Sequence, residues 1–442
     1  MQVAVHAEEP HRDHDAATDE ADDGVDGDGE DENGEDEQTE RPDDEVQAEQ
    51  EGVRRVHADR TSATDKNTSV PVVGRPRLSL SQRHTERDAE TLPAPGNTRV
   101  RGHSSPLASY SETMTDPMPT PGIHHVTCIA GDPQRNIDFW VETLGLRLVK
   151  RSINQDDPGT YHFFFADAEG TPGTSMTFFP WEDLPQGKVG SGQVSRTAFR
   201  VPEGGLDFWE SRFDEYGVDY DARVERFGET VLPFTDPDGL PVELVEVEIP
   251  DDDPTVPWTE FVPADHAIRG FHSVTLWVAD PEPTMELLRT MGLEEVGTEE
   301  AEGDTPGDER TRFAASGPVG RYVDVLPTIQ GGRQGHGTVH HVAFQTPTDE
   351  DQAAMRNAVR SLGLNPTQQI NRHWFRSVYF RESGGVLFEL ATSGPGYTSD
   401  EPLDELGERL VLPGKFEDRR EEIEAGLADV TVPRAEPVEA DD

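Results

Sequence analysis

Two ten-residue stretches share one pattern 148 residues apart. They are HHVTCIAGDP at 124–133 and HSVTLWVADP at 272–281, both H-x-V-T-x4-D-P. A repeat at that distance means one supersecondary unit used more than once, so the fold must pack like against like. Two weaker starts, SRTAFRVP at 195–202 and HHVAFQTP at 340–347, raise the count to four. Each start alternates apolar and polar residues, as a half-buried strand does. Residues at helical spacing follow: Ile137, Trp140, Val141 and Leu144 in unit one, Met355, Val359 and Leu362 in unit four. A glycine then stops each helix: Gly145, Gly217, Gly292 and Gly363. Two or three strands complete each unit. Units two and four close with matching hairpins, FTDPDGLPVELVEV (234–247) and YFRESGGVLFELAT (379–392). Each hairpin puts a glutamate four residues after a turn glycine, Glu243 after Gly239 and Glu389 after Gly385. The sequence therefore predicts four βαβββ units in an α+β fold.

Charge divides the chain before the first unit. Residues 1–50 hold 21 acidic and 2 basic residues and almost no large apolar ones. Such a segment cannot bury enough surface to offset the entropy of ordering. Residues 51–120 are rich in Ser, Thr, Pro and Arg and show no period. From Pro121 the texture changes to apolar runs, glycine turns and aromatics, and Met114 and Met118 lie just before that change. Residues 1–120 are expected to be a disordered acidic extension, with Met114 or Met118 as an alternative start of translation.

Over the whole chain 89 acidic residues face 38 basic ones, a net charge of −51, and only four of the basic residues are lysine. That balance gives no positive excess with which to release counterions from a nucleic acid. It resembles proteins of salt-adapted organisms, where the Debye length is only about 3 Å in molar salt. No apolar run of membrane-spanning length occurs, and no signal peptide is evident at the N-terminus. A cytoplasmic protein without nucleic-acid or membrane partners is expected. The single cysteine, Cys128, excludes an intrachain disulfide and a Cys-rich metal site; its strand position suggests burial. The run GTEEAEGDTPGDE (297–309) lacks the spacing of a calcium loop and reads as an exposed acidic loop.

Five residues carry metal-ligand chemistry at matched positions. His124-His125 and His340-His341 open units one and four, and Glu389 lies on the last strand of unit four. Two histidines and one carboxylate are a common ligand set for non-haem Fe(II), which keeps open positions for substrate and dioxygen. Side chains alternate along a strand, so only one histidine of each pair can face a given cavity. Spacing alone does not say which. In units two and three the corresponding places hold Arg196 and Ser273, so Glu243 would face no histidine pair. That second site reads as vestigial, with His272 as a packed strand residue. His162 and His373 read as structural. Tyr379 is either an acid/base group or a buried aromatic, and Arg372 either holds an anionic substrate oxygen or forms a surface ion pair.

Four βαβββ units with a strand-end glutamate resemble the vicinal oxygen chelate superfamily, which includes glyoxalases and extradiol ring-cleaving dioxygenases. The segments GIHHVT, DDPGTYHFFF (156–165), PGTSMTFFPW, TVHHVAF and FRESGGVLFELATSGPG are similar to its hydroquinone-cleaving dioxygenase branch. The resemblance implies four modules paired into two vicinal-oxygen-chelate domains, at 121–250 and 270–415, joined by a linker at 251–269 and followed by an acidic tail at 416–442. It implies that the second histidine of each pair binds metal: His125, His341 and Glu389. It supports His124, Thr127, His340, Arg372 and Tyr379 as pocket residues. It further implies Fe(II), with Mn(II) or Zn(II) as substitutes, and a small aromatic substrate cleaved with O2. The alternatives are a glyoxalase-type isomerase or thiol transferase, or a non-enzymatic protein that sequesters a small aromatic compound. A homo-oligomer is compatible with all of these.

Overall fold

In a computed structural model the chain is described over residues 117–301 and 309–435. Residues 1–116 of the extension, Met114 among them, lie outside the described residues. Its last residues, 117–120, are described, and Thr120 is buried with its amide donating to the Met291 carbonyl at 3.0 Å, so this end is not a free extension. Module one comprises β1 (Ile123–Ala130), α1 (Pro133–Asp138), β2 (Arg147–Ile153), β3 (Tyr161–Ala166) and β4 (Ser175–Pro180). Module two comprises β5 (Gln193–Pro202), α2 (Leu206–Tyr216), β6 (Val224–Arg226), β7 (Glu229–Thr235) and β8 (Pro241–Val247). Module three comprises β9 (Phe271–Val278), α3 (Pro281–Thr290), β10 (Glu294–Glu300), β11 (Glu309–Ala314) and β12 (Tyr322–Pro327). Module four comprises β13 (Thr338–Thr346), α4 (Asp349–Ser361), β14 (Ile370–Asn371), β15 (Arg376–Arg381) and β16 (Leu387–Thr392).

The repeat motif has a local cause in these elements. Its histidine, valine and threonine lie on β1 and β9, and its Asp-Pro pair starts a helix. Asp132 caps α1, accepting from the Arg135 amide at 2.8 Å, and Pro133 occupies the first turn, where its missing N–H is not needed. Gly145 and Gly292 end the two helical segments with φ of +70° and +85°, a region that disfavours side chains. The helical spacing of module one hides one irregularity. After Asp138 the helix widens into a single π turn, Phe139–Thr143, in which the Leu144 amide donates to the Phe139 carbonyl. The wider turn still buries Trp140, Val141 and Leu144.

The strands form two curled eight-stranded sheets. One runs β14-β15-β16-β13-β1-β4-β3-β2 and the other β10-β11-β12-β9-β5-β8-β7-β6. Module one thus joins module four through the antiparallel pair β1/β13, and module two joins module three through β5/β9. The sequence halves 121–250 and 270–415 each give one module to each sheet, so they are repeats in sequence rather than separate sheets. One face of each sheet packs with the helices into a shared core containing Val126, Cys128, Phe163, Phe165, Trp209, Phe234, Leu244 and Met355. Trp140 is fully buried there, and burial of a large apolar side chain contributes about 3 kcal/mol. Alternation sends the intervening residues of β1, β3, β13 and β16 to the opposite, concave face of the first sheet.

Two expectations fail locally. Residues 297–300 of the acidic run are not loop. They end β10, where Thr298 pairs with Thr311 and Glu299 with Arg310 on β11; cross-strand charge pairing offsets the acidic sequence. Residues 302–308 lie outside the described residues. Residues 416–427 are not a free tail either. Phe416 and Ile423, seven apart on the turn before and on α5 (Arg420–Gly426), bury one face against Ile153 and Leu412.

Candidate metal centre

Strand register brings the predicted ligands together. Ala343 on β13 pairs with His125 on β1 and with Glu389 on β16, while His341 pairs with Thr127. His125, His341 and Glu389 therefore share the concave face, with one ligand atom of each within 4.8 Å of the others. Glu389 Oε2 lies 2.9 Å from His341 Nε2 and 3.3 Å from His125 Nε2, and the two Nε2 atoms are 3.4 Å apart. Glu389 is fully buried, yet Oε2 makes no hydrogen bond with good geometry. Its other oxygen, Oε1, accepts from the Ser377 hydroxyl at 2.6 Å. Three converging donors, one of them a buried oxygen without a hydrogen bond, fit a divalent cation with imidazole and carboxylate ligands.

The first histidine of each pair stands behind the second. His124 Nδ1 lies 2.9 Å from His125 Nδ1, and His340 Nδ1 lies 2.8 Å from His341 Nδ1. Burial first, and the neighbouring histidine second, lower both His124 and His340 to about 3, so both rings are neutral. A neutral ring that accepts at Nδ1 fixes a proton on the Nδ1 of the inner histidine. Its Nε2 lone pair would then be free for a metal ion. Glu389 is held well below the usual carboxylate range; burial opposes this, and His125 and His341 overcome it.

A cavity of about 560 Å³, open mouth included, lies over the triad. Of the expected pocket residues, His340, Arg372 and Tyr379 line it, together with His125 and His341. His124 and Thr127 do not. His124 is packed edge-on against Phe375, and Thr127 hydrogen-bonds His341 and Thr177. Tyr379 packs edge-on against His341, and burial followed by the Glu389 charge pushes its phenol up, so it stays protonated at neutral pH. Phe164, Phe179, Trp374, Phe375 and Leu387 give the wall an aromatic and apolar part, and Asn154, Gln155 and Asp156 a polar one.

His162, read as structural from sequence, also lines this cavity, its Nε2 3.0 Å from the Thr177 hydroxyl. The signal was alternation along YHFFFA. His162 and Phe164 share the concave face, while Phe163 and Phe165 enter the core. His373 instead pairs with Asp400 at 2.8 Å, away from the cavity lining.

The second sheet repeats the register without the ligands. Ala198 pairs with Ser273 and with Glu243, and Arg196 pairs with Thr275. Ser273 thus stands where His125 does, Arg196 where His341 does, and Glu243 where Glu389 does. Arg196 Nε and Arg226 Nη1 reach the two Glu243 oxygens at 3.2 and 2.6 Å. Guanidinium charge holds the buried carboxylate in place of a metal ion. His272 is buried and contacts Glu229 and Ser273, each at 3.1 Å.

This duplicated architecture identifies the chain. It matches the Glyoxalase/Bleomycin resistance protein/Dioxygenase superfamily over residues 122–244 and 247–390, and it belongs to that superfamily. It is 45% identical over 312 residues to the "Putative ring-cleaving dioxygenase MhqO" of Bacillus subtilis, covering 70% of this chain and 96% of that one. It is 32% identical over 310 residues to the chlorohydroquinone/hydroquinone 1,2-dioxygenase of Sphingobium indicum, covering 68% and 94%. Among solved structures it is similar to that of a "putative dioxygenase from Bacillus subtilis subsp. subtilis str. 168", with 43% identity and a TM-score of 0.66 over 72% of this chain and 99% of that one. No helix among the described residues is long and apolar enough to cross a membrane.

Proposed function

We propose that the chain is an Fe(II)-dependent, extradiol-type ring-cleaving dioxygenase that inserts both atoms of O2 into a hydroquinone- or catechol-like aromatic. The observation that carries this reading is a buried His-His-Glu cluster at the base of a cavity with an aromatic wall. His125, His341 and Glu389 would hold the metal. Bound iron would supply redox coupling between an electron-rich ring and dioxygen. The protein's own residues do the rest. Phe164, Phe179, Trp374 and Phe375 enclose a flat ring and exclude water. His340, neutral and engaged at Nδ1 by His341, would present its Nε2–H to the cavity as a hydrogen-bond donor for a substrate oxygen. Tyr379, protonated, donates a hydrogen bond to oxygen charge that develops beside His341. The names of the hydroquinone-cleaving and ring-cleaving relatives agree with this assignment.

Oxygen uptake by anaerobically Fe(II)-loaded protein, measured with a panel of hydroquinones and catechols, tests the reading. One O2 consumed per ring opened is the expected result. Isomerisation of a thiol adduct with no oxygen uptake would replace the reading with a glyoxalase-type one. Stoichiometric ring binding without turnover would point to a sequestering protein.

Tyr379→Phe separates a proton donor from a packed aromatic. It is expected to keep full metal content and lower kcat by about 100-fold. An unchanged kcat would leave the ring a packing role only.

A further inference from the structure

One wall of the cavity carries a cation that already has a partner. Arg372 donates from Nη1 to Asp156 Oδ1 at 3.2 Å and from Nη2 to Asp156 Oδ2 at 2.9 Å. Both residues line the cavity, and Arg372 is the only arginine or lysine among the described lining residues. The pair is held from both sides. The Asp156 amide donates to Asn154 Oδ1 at 2.9 Å, which turns the β2–β3 loop inward. Gln155 Nε2 donates to the Arg372 carbonyl at 3.0 Å, and the Arg372 amide donates to the Phe375 carbonyl at 2.9 Å. A loop of module one is thus fastened to a loop of module four across the mouth of the site.

We infer that Asp156 is a specificity determinant: it occupies the Arg372 fork, excludes rings that bear a carboxylate, and reserves the cavity for diols with neutral, apolar substituents. The inference rests on the ring-cleaving reading of this site. A guanidinium recognises a carboxylate through two parallel N–H bonds, and here both go to the protein's own carboxylate. A carboxylated ring would compete with Asp156 for one fork and bring a second negative charge beside the first. The cost of desolvating that charge would go uncompensated. An alkyl or halogen substituent brings no charge to the Arg372–Asp156 pair and can pack on the aromatic part of the wall. Discrimination of this kind comes from the element that repels the wrong ligand.

The experiment uses metal-loaded full-length protein without oxygen, so that binding is read apart from turnover. Equilibrium dialysis measures 2-methylhydroquinone against 2,5-dihydroxybenzoate in the parent and in Asp156→Asn. The preference for the neutral ring is expected to fall by about tenfold or more in the variant, through tighter binding of the carboxylate. Asp156→Glu should retain the parent preference, and Asp156→Asn/Arg372→Met should lose the gain. If Asp156→Asn does not fold, Asp156→Ser, which leaves room for water on the guanidinium, is read in the same way. An unchanged preference in a folded, metal-loaded Asp156 variant would overturn the inference, as would a gain that survives Arg372→Met. Failure of the parent to consume oxygen with any diol would count against the ring-cleaving reading alone, because the binding ratio is still measured.

Discussion

His125→Ala, His341→Ala and Glu389→Ala are each expected to strip the protein of its metal and abolish oxygen uptake while leaving the fold intact. The three donors converge within 4.8 Å on buried strands, and each belongs to a different strand of one sheet. Removing one leaves a two-ligand site, and even losing a partner behind a ligand costs about 10- to 100-fold in metal affinity. Loss of a direct ligand should exceed that. Folding should survive, because these side chains face the concave side and the core lies on the other. The matched control is His272→Ala in the second sheet, where Glu243 is already paired with Arg196 and Arg226. It is expected to keep its metal. Elemental analysis, oxygen uptake and circular-dichroism melts read the three quantities separately. Full iron content in His125→Ala, with iron lost in Glu243→Ala, would move the metal to the other sheet and sink the assignment.

Much of this centre was legible because it is local or repeated. The H-x-V-T-x4-D-P pattern encodes a strand followed by a capped helix, so two copies reveal the modules without any long-range information. Alternation showed that one histidine per pair could face the cavity, and the resemblance indicated the second. The structure shows the arrangement of the pair: the Nδ1 atoms of the outer and inner rings face each other at 2.9 and 2.8 Å. What stayed hidden depends on contacts distant in sequence. Nothing local to β1 says that it pairs with β13 instead of a strand of module two. Asp156 reads as one more acid in an acidic chain until it is seen 216 residues away in sequence from its arginine. His162 was within reach, since it alternates with Phe164, but alternation does not say which face holds the site. Residues 416–427 were masked by their charge, although Phe416 and Ile423 already had the spacing of a buried stripe.

The segment after β16 provides the last expected result: Lys150→Met should destabilise the protein by about 3–5 kcal/mol and loosen the aromatic wall of the cavity. Lys150, on β2, is completely buried. Its ammonium lies 2.5 Å from Asp400 Oδ1 and also bonds the buried Glu401 carboxylate. Asp400 Oδ2 in turn accepts from Trp374 Nε1 and faces His373 Nε2, both at 2.8 Å. One lysine therefore ties the segment that follows β16 to module one and, through Asp400, sets the indole that lines the cavity. Methionine fills the space but leaves two carboxylates short of their compensating charge, which is the costly way to break a buried ion pair. Asp400 sets the pH window. Burial opposes its ionisation, but His373 and Lys150 prevail and take it from 3.8 to about 2. A depressed carboxylate stabilises the fold fully above its unfolded value, and that contribution is lost as pH falls from 3.8 through about 2. The variant should lose the Lys150 share of this acid-dependent part and keep the His373 share, so its stability should fall less steeply over that window. Thermal melts at neutral and acidic pH, with KM for the ring substrate, measure both effects. Lys150→Met/Asp400→Asn/Glu401→Gln should recover most of the stability, since it removes the stranded charges. A single variant as stable as the parent, with an unchanged KM, would show that the latch neither stabilises the fold nor shapes the cavity.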